Sequence, residues 1–247
     1  MYMRGIPCIQ VPTTLMAQVD SCVGGKTAVD LPEGKNLIGS FHQPKRVYID
    51  PTVLLTLPVR EMRSGLAEII KHGVIYDRGL FEYLEKNLEA VKGLDREALT
   101  HIIFKSCQIK SEVVEKDEKE ENLRSILNYG HTLGHAIEQC EKYKGHLHGE
   151  AVAIGMNYAG RLAVNKGFWQ EQGLKRQNKL IESFNLPLQT EFHPNELIEA
   201  MCHDKKAEGG RIMFVLPESI GKMATVDGRY RIPISKEELV SVLCGSA

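Results

Sequence analysis

The spacing of hydrophobic and polar positions changes near residue 58. Before that point the apolar residues come in short β-branched runs, and 6–11 and 46–49 read as buried strands. Between them, Gly24-Gly25-Lys26 and Pro32-Glu33-Gly34-Lys35 carry turn-forming residues and predict loops. From Arg60 onward apolar residues recur at three- and four-residue intervals, which predicts helices over 60–75, 80–88, 96–114, 123–140, 150–166, 171–184 and 194–203. Pro58 stands just ahead of the first of them, where proline favours a helix start. Near the end, 211–216 and 223–226 flank a turn over 217–222 and predict a hairpin, followed by a short helix over 236–243. The charged run 112–121 reads as a solvated helix end. The pattern therefore describes an α/β plus α chain. Residues 1–57 look like the end of a nucleotide-type α/β domain, and 58–247 form a mainly helical one.

Composition narrows the function classes without choosing among them. With 43% hydrophobic and 26% charged residues in 247, the chain has the balance of an ordinary globular protein. A formal net charge of −1 gives no footprint for nucleic acid or an acidic membrane surface. No stretch approaches the roughly 18 consecutive apolar residues of a membrane span. Residues 1–5 lack an apolar run leading to a cleavage site, which argues against a signal peptide. The six cysteines are scattered, with no CxxC pair, which fits a reducing cytoplasm.

Four places concentrate polar groups beyond what packing requires. The first is Thr13-Thr14 followed by Asp20-Ser21-Cys22-Val23-Gly24-Gly25-Lys26-Thr27. Paired glycines let backbone N–H groups approach an anion, and Lys26 adds a point charge, although a GGK turn alone is more often a plain surface turn. The second is Gly65-Leu66-Ala67-Glu68-Ile69-Ile70-Lys71-His72, where Glu68 and Lys71 share a helix face among apolar neighbours. A buried carboxylate needs a cation, so spacing alone favours an ion pair slightly over a metal ligand. The third is Asn128-Tyr129-Gly130-His131-Thr132-Leu133-Gly134-His135, with His131 and His135 one turn apart, as helices present two imidazoles to one metal. The fourth is His146-Leu147-His148-Gly149-Glu150 at a predicted helix start. Spacing nominates His131 and His135 as the ligand pair and does not say which residues complete the set.

Taken together, these segments resemble the 3-dehydroquinate synthase family. YMRGIPCIQVPTT, QVDSCVGGKTAVDLPEGKNLIGSFHQP, RSGLAEIIKHG, LRSILNYGHTLGHAIE and HGEAVAIGM follow the family's order and spacing, and Asp204-Lys205-Lys206 with GGRIMFVLPESIG matches its C-terminal signature. The resemblance implies a zinc- and NAD-dependent lyase of the shikimate pathway, a homodimer, with cobalt as a possible substitute metal. Its substrate would be 3-deoxy-D-arabino-heptulosonate 7-phosphate and its products 3-dehydroquinate and phosphate. It implies Glu68, His131 and His148 as metal ligands, replacing the simple His131/His135 pair. It implies Asp20, Lys71, Arg124, Asn128 and His135 as catalytic residues, and Arg4, Lys26, Asn36, Lys110 and Lys206 as substrate-binding ones. Thr13, Thr14, Lys26, Lys35, Val53, Leu54, Leu55 and Thr56 match NAD-contacting positions.

Two further readings share much of this pattern. Sibling sugar-phosphate cyclases making valiolone- or inosose-type rings would keep the NAD and metal groups, but His135 and the GLAEIIK form favour the dehydroquinate branch. A metal-dependent polyol dehydrogenase would not need this density of phosphate-directed lysine and arginine. The family's glycine-rich GGG…D segment, which cradles the NAD pyrophosphate, has no counterpart in these 247 residues. The expectation is therefore weak NAD binding and poor turnover by this chain alone, and a catalytically impaired metal-binding fragment stands as the alternative.

Overall fold

The computed structural model describes residues 5–31, 34–203 and 211–245. It begins with β1 (Ile9–Gln10) and a π-helical turn, Ala17–Ser21. An antiparallel hairpin of β2 (Lys26–Leu31) and β3 (Gly34–Phe41) follows, and then β4 (Arg46–Val47), which pairs in parallel with β1. The hairpin corrects the loop reading of this stretch. Thr27 pairs with Ser40 and Val29 with Ile38, so β-branched and hydroxyl residues face each other across the ladder. The glycine and proline signals mark only the hairpin's ends. The first predicted strand is likewise shorter than its apolar run. A 3-10 turn, Pro51–Thr56, is capped by Asp50, whose Oδ1 accepts the Thr52 N–H at 2.9 Å.

Helices then take over: α1 (Val59–Ile75), α2 (Arg78–Lys86), α3 (Leu88–Lys92) and α4 (Arg96–Lys116). Asp77 and Asp95 cap α2 and α4 by accepting backbone N–H bonds from Leu80 and Ala98. The helix predicted over 123–140 is two pieces, a 3-10 turn at Leu123–Asn128 and α5 (His131–Cys140). The break lies at Gly130, whose φ of 79° is left-handed and whose missing Cβ would stand 2.7 Å from the Val152 carbonyl oxygen. After it come α6 (His148–Asn165), α7 (Glu171–Ser183) and α8 (Pro194–His203).

The terminal β element is also rearranged. β5 (Ile212–Val215) pairs antiparallel with β8 (Arg231–Ile234), while β6 (Pro217–Ser219) pairs with β7 (Lys222–Met223). The expected hairpin of 211–216 with 223–226 is therefore not the main pairing. Pro233 inside β8 disguised the true partner strand, a position tolerated on an edge. α9 (Lys236–Cys244) closes the described chain with a capping box between Ser235 and Glu238.

One hydrophobic core runs through α1, α2, α4, α5, α6 and α7, and takes in Leu15, Val19 and Leu54 from the first stretch. Helix α1 is central to it. Its residues from Gly65 to Ile75 are all buried, so its polar members Glu68, Lys71 and His72 are buried too. Each fully buried Leu, Ile or Phe contributes about 1.5–3 kcal/mol of transfer free energy, and that apolar surround carries the cost of holding three titratable side chains inside. Among the described residues no helix is long and apolar enough to cross a membrane.

Candidate metal centre and anion pocket

Two glycine contacts set the geometry of the centre. A Cβ on Gly149 would stand 1.9 Å from the Ser64 carbonyl oxygen, so α6 can meet α1 this closely only with glycine there. The Gly149 N–H donates to Ser64 Oγ at 3.0 Å and fixes the crossing. His148, the first residue of α6, is thereby placed over Glu68, one turn along α1 from Ser64. Gly155 on α6 makes a matching approach, where an added Cβ would stand 1.9 Å from the Gly130 carbonyl oxygen, and seats the start of α5 against α6. His131 begins that helix.

The result is a convergence on one oxygen. Glu68 Oε1 lies 3.8 Å from His131 Nε2 and 3.8 Å from His148 Nε2. Glu68 is fully buried, and neither carboxylate oxygen accepts a directed hydrogen bond; Oε2 is in ion-pair contact with Lys71 Nζ. A buried carboxylate oxygen facing two imidazoles calls for a cation between them. The far side of each imidazole is already engaged: His131 Nδ1 with the Tyr129 carbonyl oxygen at 3.1 Å, and His148 Nδ1 with Glu138 Oε2 at 3.5 Å. Such outer contacts orient metal-binding imidazoles and fix the tautomer that leaves Nε2 as the ligand atom. Burial works against charging His148, but the hydrogen bond to Glu138 and the charge of Glu68 outweigh it and raise its pKa. The residues present therefore fit a divalent cation held by Glu68, His131 and His148, whose ligand atoms lie within 4.8 Å of one another.

A second group, Asp20, Glu68 and His72, meets the same distance limit. It is a poorer seat. Lys110 Nζ donates to Asp20 Oδ1 at 2.6 Å and Lys71 holds Glu68 Oε2, so two ammonium groups already serve those carboxylates. His72 has neither ring nitrogen hydrogen-bonded. Burial, reinforced by the charge of Lys71, pushes its pKa well below the usual histidine value and keeps it neutral.

Beside the centre is a cavity of about 130 Å³ lined by Asp20, Lys26, Lys71, Lys110, Glu120, Arg124, Leu127, Asn128 and His131. Most of the catalytic and substrate-binding residues expected from the sequence thus meet in one place. Burial raises the Asp20 pKa, but the neighbouring charges of Lys110 and Lys71 dominate and hold it well below the usual carboxylate range. Arg124 is buried; its guanidinium donates to the carbonyl oxygens of Gly24, at 2.8 Å, and of Glu118. His135 stands next to the ligand pair, its ring 5.4 Å from that of His131 and 6.2 Å from that of His148. His146 turns away to Glu141, with Nδ1 2.6 Å from Oε1.

Of the other expected residues, Thr13, Thr14 and Val53–Thr56 are not among the described residues that line the cavity. Lys35 and Asn36 lie on β3, while Arg4 and Lys206 fall outside the described residues. Thr14 Oγ1 accepts the Ala17 N–H at 3.1 Å, and Thr13 is exposed beside it. Val53, Leu54, Leu55 and Thr56 form most of the 3-10 turn Pro51–Thr56; Leu54 is fully buried in the core, whereas Leu55 is exposed.

Sequence reasoning missed Glu138 and Glu120. Glu138 is buried on α5, and nothing in its spacing signals that His148 will fold back onto it. Glu120 belongs to the run read as a solvated helix end. That reading is corrected: α4 stops at Lys116, and the Glu120 side chain is only 12% exposed inside the cavity.

Comparison with known proteins adds the family. The 3-dehydroquinate synthase C-terminal model matches residues 65–207, and the N-terminal model of the same family matches residues 1–64. A 3-dehydroquinate synthase of Thermoanaerobacter sp. (strain X514) is 53% identical over 243 residues, covering 98% of this chain and 67% of its own length. Another, from Prochlorococcus marinus (strain MIT 9515), is 53% identical over 225 residues, of which this chain spans 62% of the relative's length. Among solved structures, a 2-deoxy-scyllo-inosose synthase complexed with carbaglucose-6-phosphate, NAD+ and Co2+ superposes with a TM-score of 0.89 at 30% identity, covering 100% of this chain and 69% of that one. The synthase function that the motifs implied is the one these curated relatives carry in their names, and the α/β plus α fold is that of the sugar-phosphate cyclases. With both family models matched in order along its length, the chain belongs to the 3-dehydroquinate synthase family.

Proposed function

We propose that this chain carries the metal- and substrate-binding part of a 3-dehydroquinate synthase, which converts 3-deoxy-D-arabino-heptulosonate 7-phosphate to 3-dehydroquinate and phosphate. The observation that carries the reading is Glu68 Oε1 set between two outward-held imidazoles, at the wall of a cavity lined by Lys26, Lys71, Lys110 and Arg124. The identity of 53% to named synthases, against 30% to the inosose synthase, favours this reaction over its sibling cyclisations.

Glu68, His131 and His148 would hold a divalent cation, zinc by the family resemblance, which supplies polarisation of a substrate hydroxyl. NAD, held by the residues assigned to it below, would supply reversible hydride exchange, which leaves the overall conversion redox-neutral. The chain's own residues supply the rest. Lys26, Lys71, Lys110 and Arg124 bind the phosphate and carboxylate as charged donors. Arg4, Asn36 and Lys206 are assigned to the same substrate. Asn128 adds an amide donor to that anion site, and Asp20, kept ionised by Lys110, accepts a substrate hydroxyl. His135 stands beside the two ligand imidazoles to accept or return a proton at its ring nitrogen. Residues 1–57 are assigned to the nucleotide-binding part, with Thr13, Thr14, Lys26, Lys35 and Val53–Thr56 toward NAD, and residues 58–247 to the metal and substrate part.

Six unpaired cysteines suit a reducing cytoplasm, and exposed apolar side chains in the first stretch suit a homodimer. The reading is tested by metal content and phosphate release. One divalent cation per chain is expected, lost in Glu68→Gln. Chelator-sensitive phosphate release with NAD+ is expected in a chain extended to the relatives' full length, and weakly here. A chain that retains metal after both Glu68→Gln and His148→Ala refutes the centre.

A further inference from the structure

The cavity that this reading gives to the substrate's anionic groups already contains an anion, the side chain of Glu120. Its Oε2 is in contact with Lys26 Nζ, and its Oε1 accepts from Asn128 Nδ2 at 2.5 Å and from Arg231 at 3.2 Å. The position is built. Just past the end of α4, Asp117 gathers the following backbone, accepting the N–H groups of Glu121, Asn122 and Arg124 at 2.8–2.9 Å. That loop holds Glu120 in left-handed backbone, φ 62°, where a non-glycine residue is uncommon. The side chain is thereby directed into the cavity instead of into water.

These three partners of Glu120 divide into two groups. Lys26 and Asn128 line the inner cavity, whereas Arg231 comes from β8 and lines the neighbouring outer groove with Glu121 and Arg229. A substrate phosphate and a carboxylate cannot both contact one lysine in so small a space without strong repulsion. Arg231 offers the carboxylate a bond that phosphate entry need not disturb.

Resting on the reading of the cavity as the anion site, we propose that Glu120 is a displaceable carboxylate. It fills the anion position of the empty site, moves onto Arg231 when a phosphate takes Lys26 and Asn128, and returns to them as phosphate leaves. The device keeps Lys26 paired between turnovers and lowers the affinity for free phosphate, which is also a product.

The test is calorimetric titration of inorganic phosphate into this chain at fixed pH and ionic strength. Glu120→Gln is expected to bind about tenfold more tightly than wild type, the scale of one charged hydrogen bond. Glu121→Gln, the same change of charge one residue away, is expected to bind as wild type. Arg231→Gln is expected to bind more weakly in the wild-type background and to have no further effect in Glu120→Gln, because the proposal has the arginine act on phosphate by receiving that carboxylate. Equal affinity of Glu120→Gln and wild type overturns the proposal, as does an equal Arg231→Gln effect in both backgrounds. Lys26→Ala separates the two layers. If it weakens phosphate while Glu120→Gln changes nothing, the displaceable carboxylate falls alone; if it too leaves phosphate binding unchanged, the anion-site reading falls with it.

Discussion

Residues 5–57 and 58–245 use apolar side chains differently. In the first stretch Ile6, Ile9, Val11, Val29, Phe41 and Leu55 are all more than half exposed, and β1 and β4 make only a two-residue ladder. In the second, Phe81, Ile70, Tyr129 and Phe184 are essentially sealed, around a helix whose inner polar residues Glu68, Lys71 and His72 are sealed as well. A strand ladder that short does not stand as an independent unit. What anchors the first stretch is Leu15, Val19 and Leu54, which reach into the helical core. The chain spans about two-thirds of its first curated relatives, and the stretch with so much exposed apolar surface is the one the N-terminal family model matches. The comparison teaches that the candidate metal ligands sit on the closely packed helices, while most of the residues assigned to NAD, Leu54 apart, sit on the loosely packed first stretch.

The largest expected effects test that contrast in stability. Phe81→Ala should cost about 3–5 kcal/mol, because its side chain is fully buried in a closed core. Phe41→Ala, in the exposed hairpin, should stay within about 0.5 kcal/mol. Urea unfolding of the two variants measures both, and similar losses would erase the distinction between the stretches. A smaller effect sharpens it at the centre itself. Glu138→Ala removes the outer partner of His148 and should weaken metal binding roughly 10–100-fold, while Thr13→Ala leaves it unchanged. Competition with a coloured chelator reads the difference. Equal affinities would mean that Glu138 does not orient the imidazole.

The helical stretch was legible because long amphipathic runs fix their own type; α1, α4, α7 and α8 lie within two residues of their expected limits. The exceptions have local causes. Gly130 breaks a helix because α6 presses on it, a tertiary demand that its neighbours in sequence do not announce. The β2–β3 hairpin was hidden by the glycines and proline at its ends, and β8 by Pro233. At the site, one-turn spacing pointed to His131 and His135, whereas the ligand atoms that converge on Glu68 belong to His131 and His148. That juxtaposition depends on Gly149 meeting Ser64 across two helices, which no period encodes. Only the family resemblance nominated His148. Glu120 was missed because a charge run is usually solvated, and only the Asp117 turn carries it inward.

The smallest expected effect concerns the bond that ties the two stretches together at the site, Asp20 in the π-helical turn with Lys110 on α4. Burial raises the Asp20 pKa, but Lys110 and Lys71 outweigh it and hold it far below the value of about 3.9 for an unfolded aspartate. Over acid pH, therefore, the unfolded chain binds this proton before the folded one does. The pair's contribution is fully present above about pH 4 and is lost as pH falls toward the folded-state pKa. With a quarter or so of the Asp20 side chain exposed, screening limits that contribution to about 1 kcal/mol. Asp20→Asn should accordingly be less stable than wild type at pH 7 by that amount, with the gap closing between about pH 4 and pH 2. Urea midpoints for both proteins across this range are the measurement. A gap that stays constant down to pH 2 would mean that the charge on Asp20 contributes nothing to stability, and that the joining of the two stretches does not depend on its ionisation.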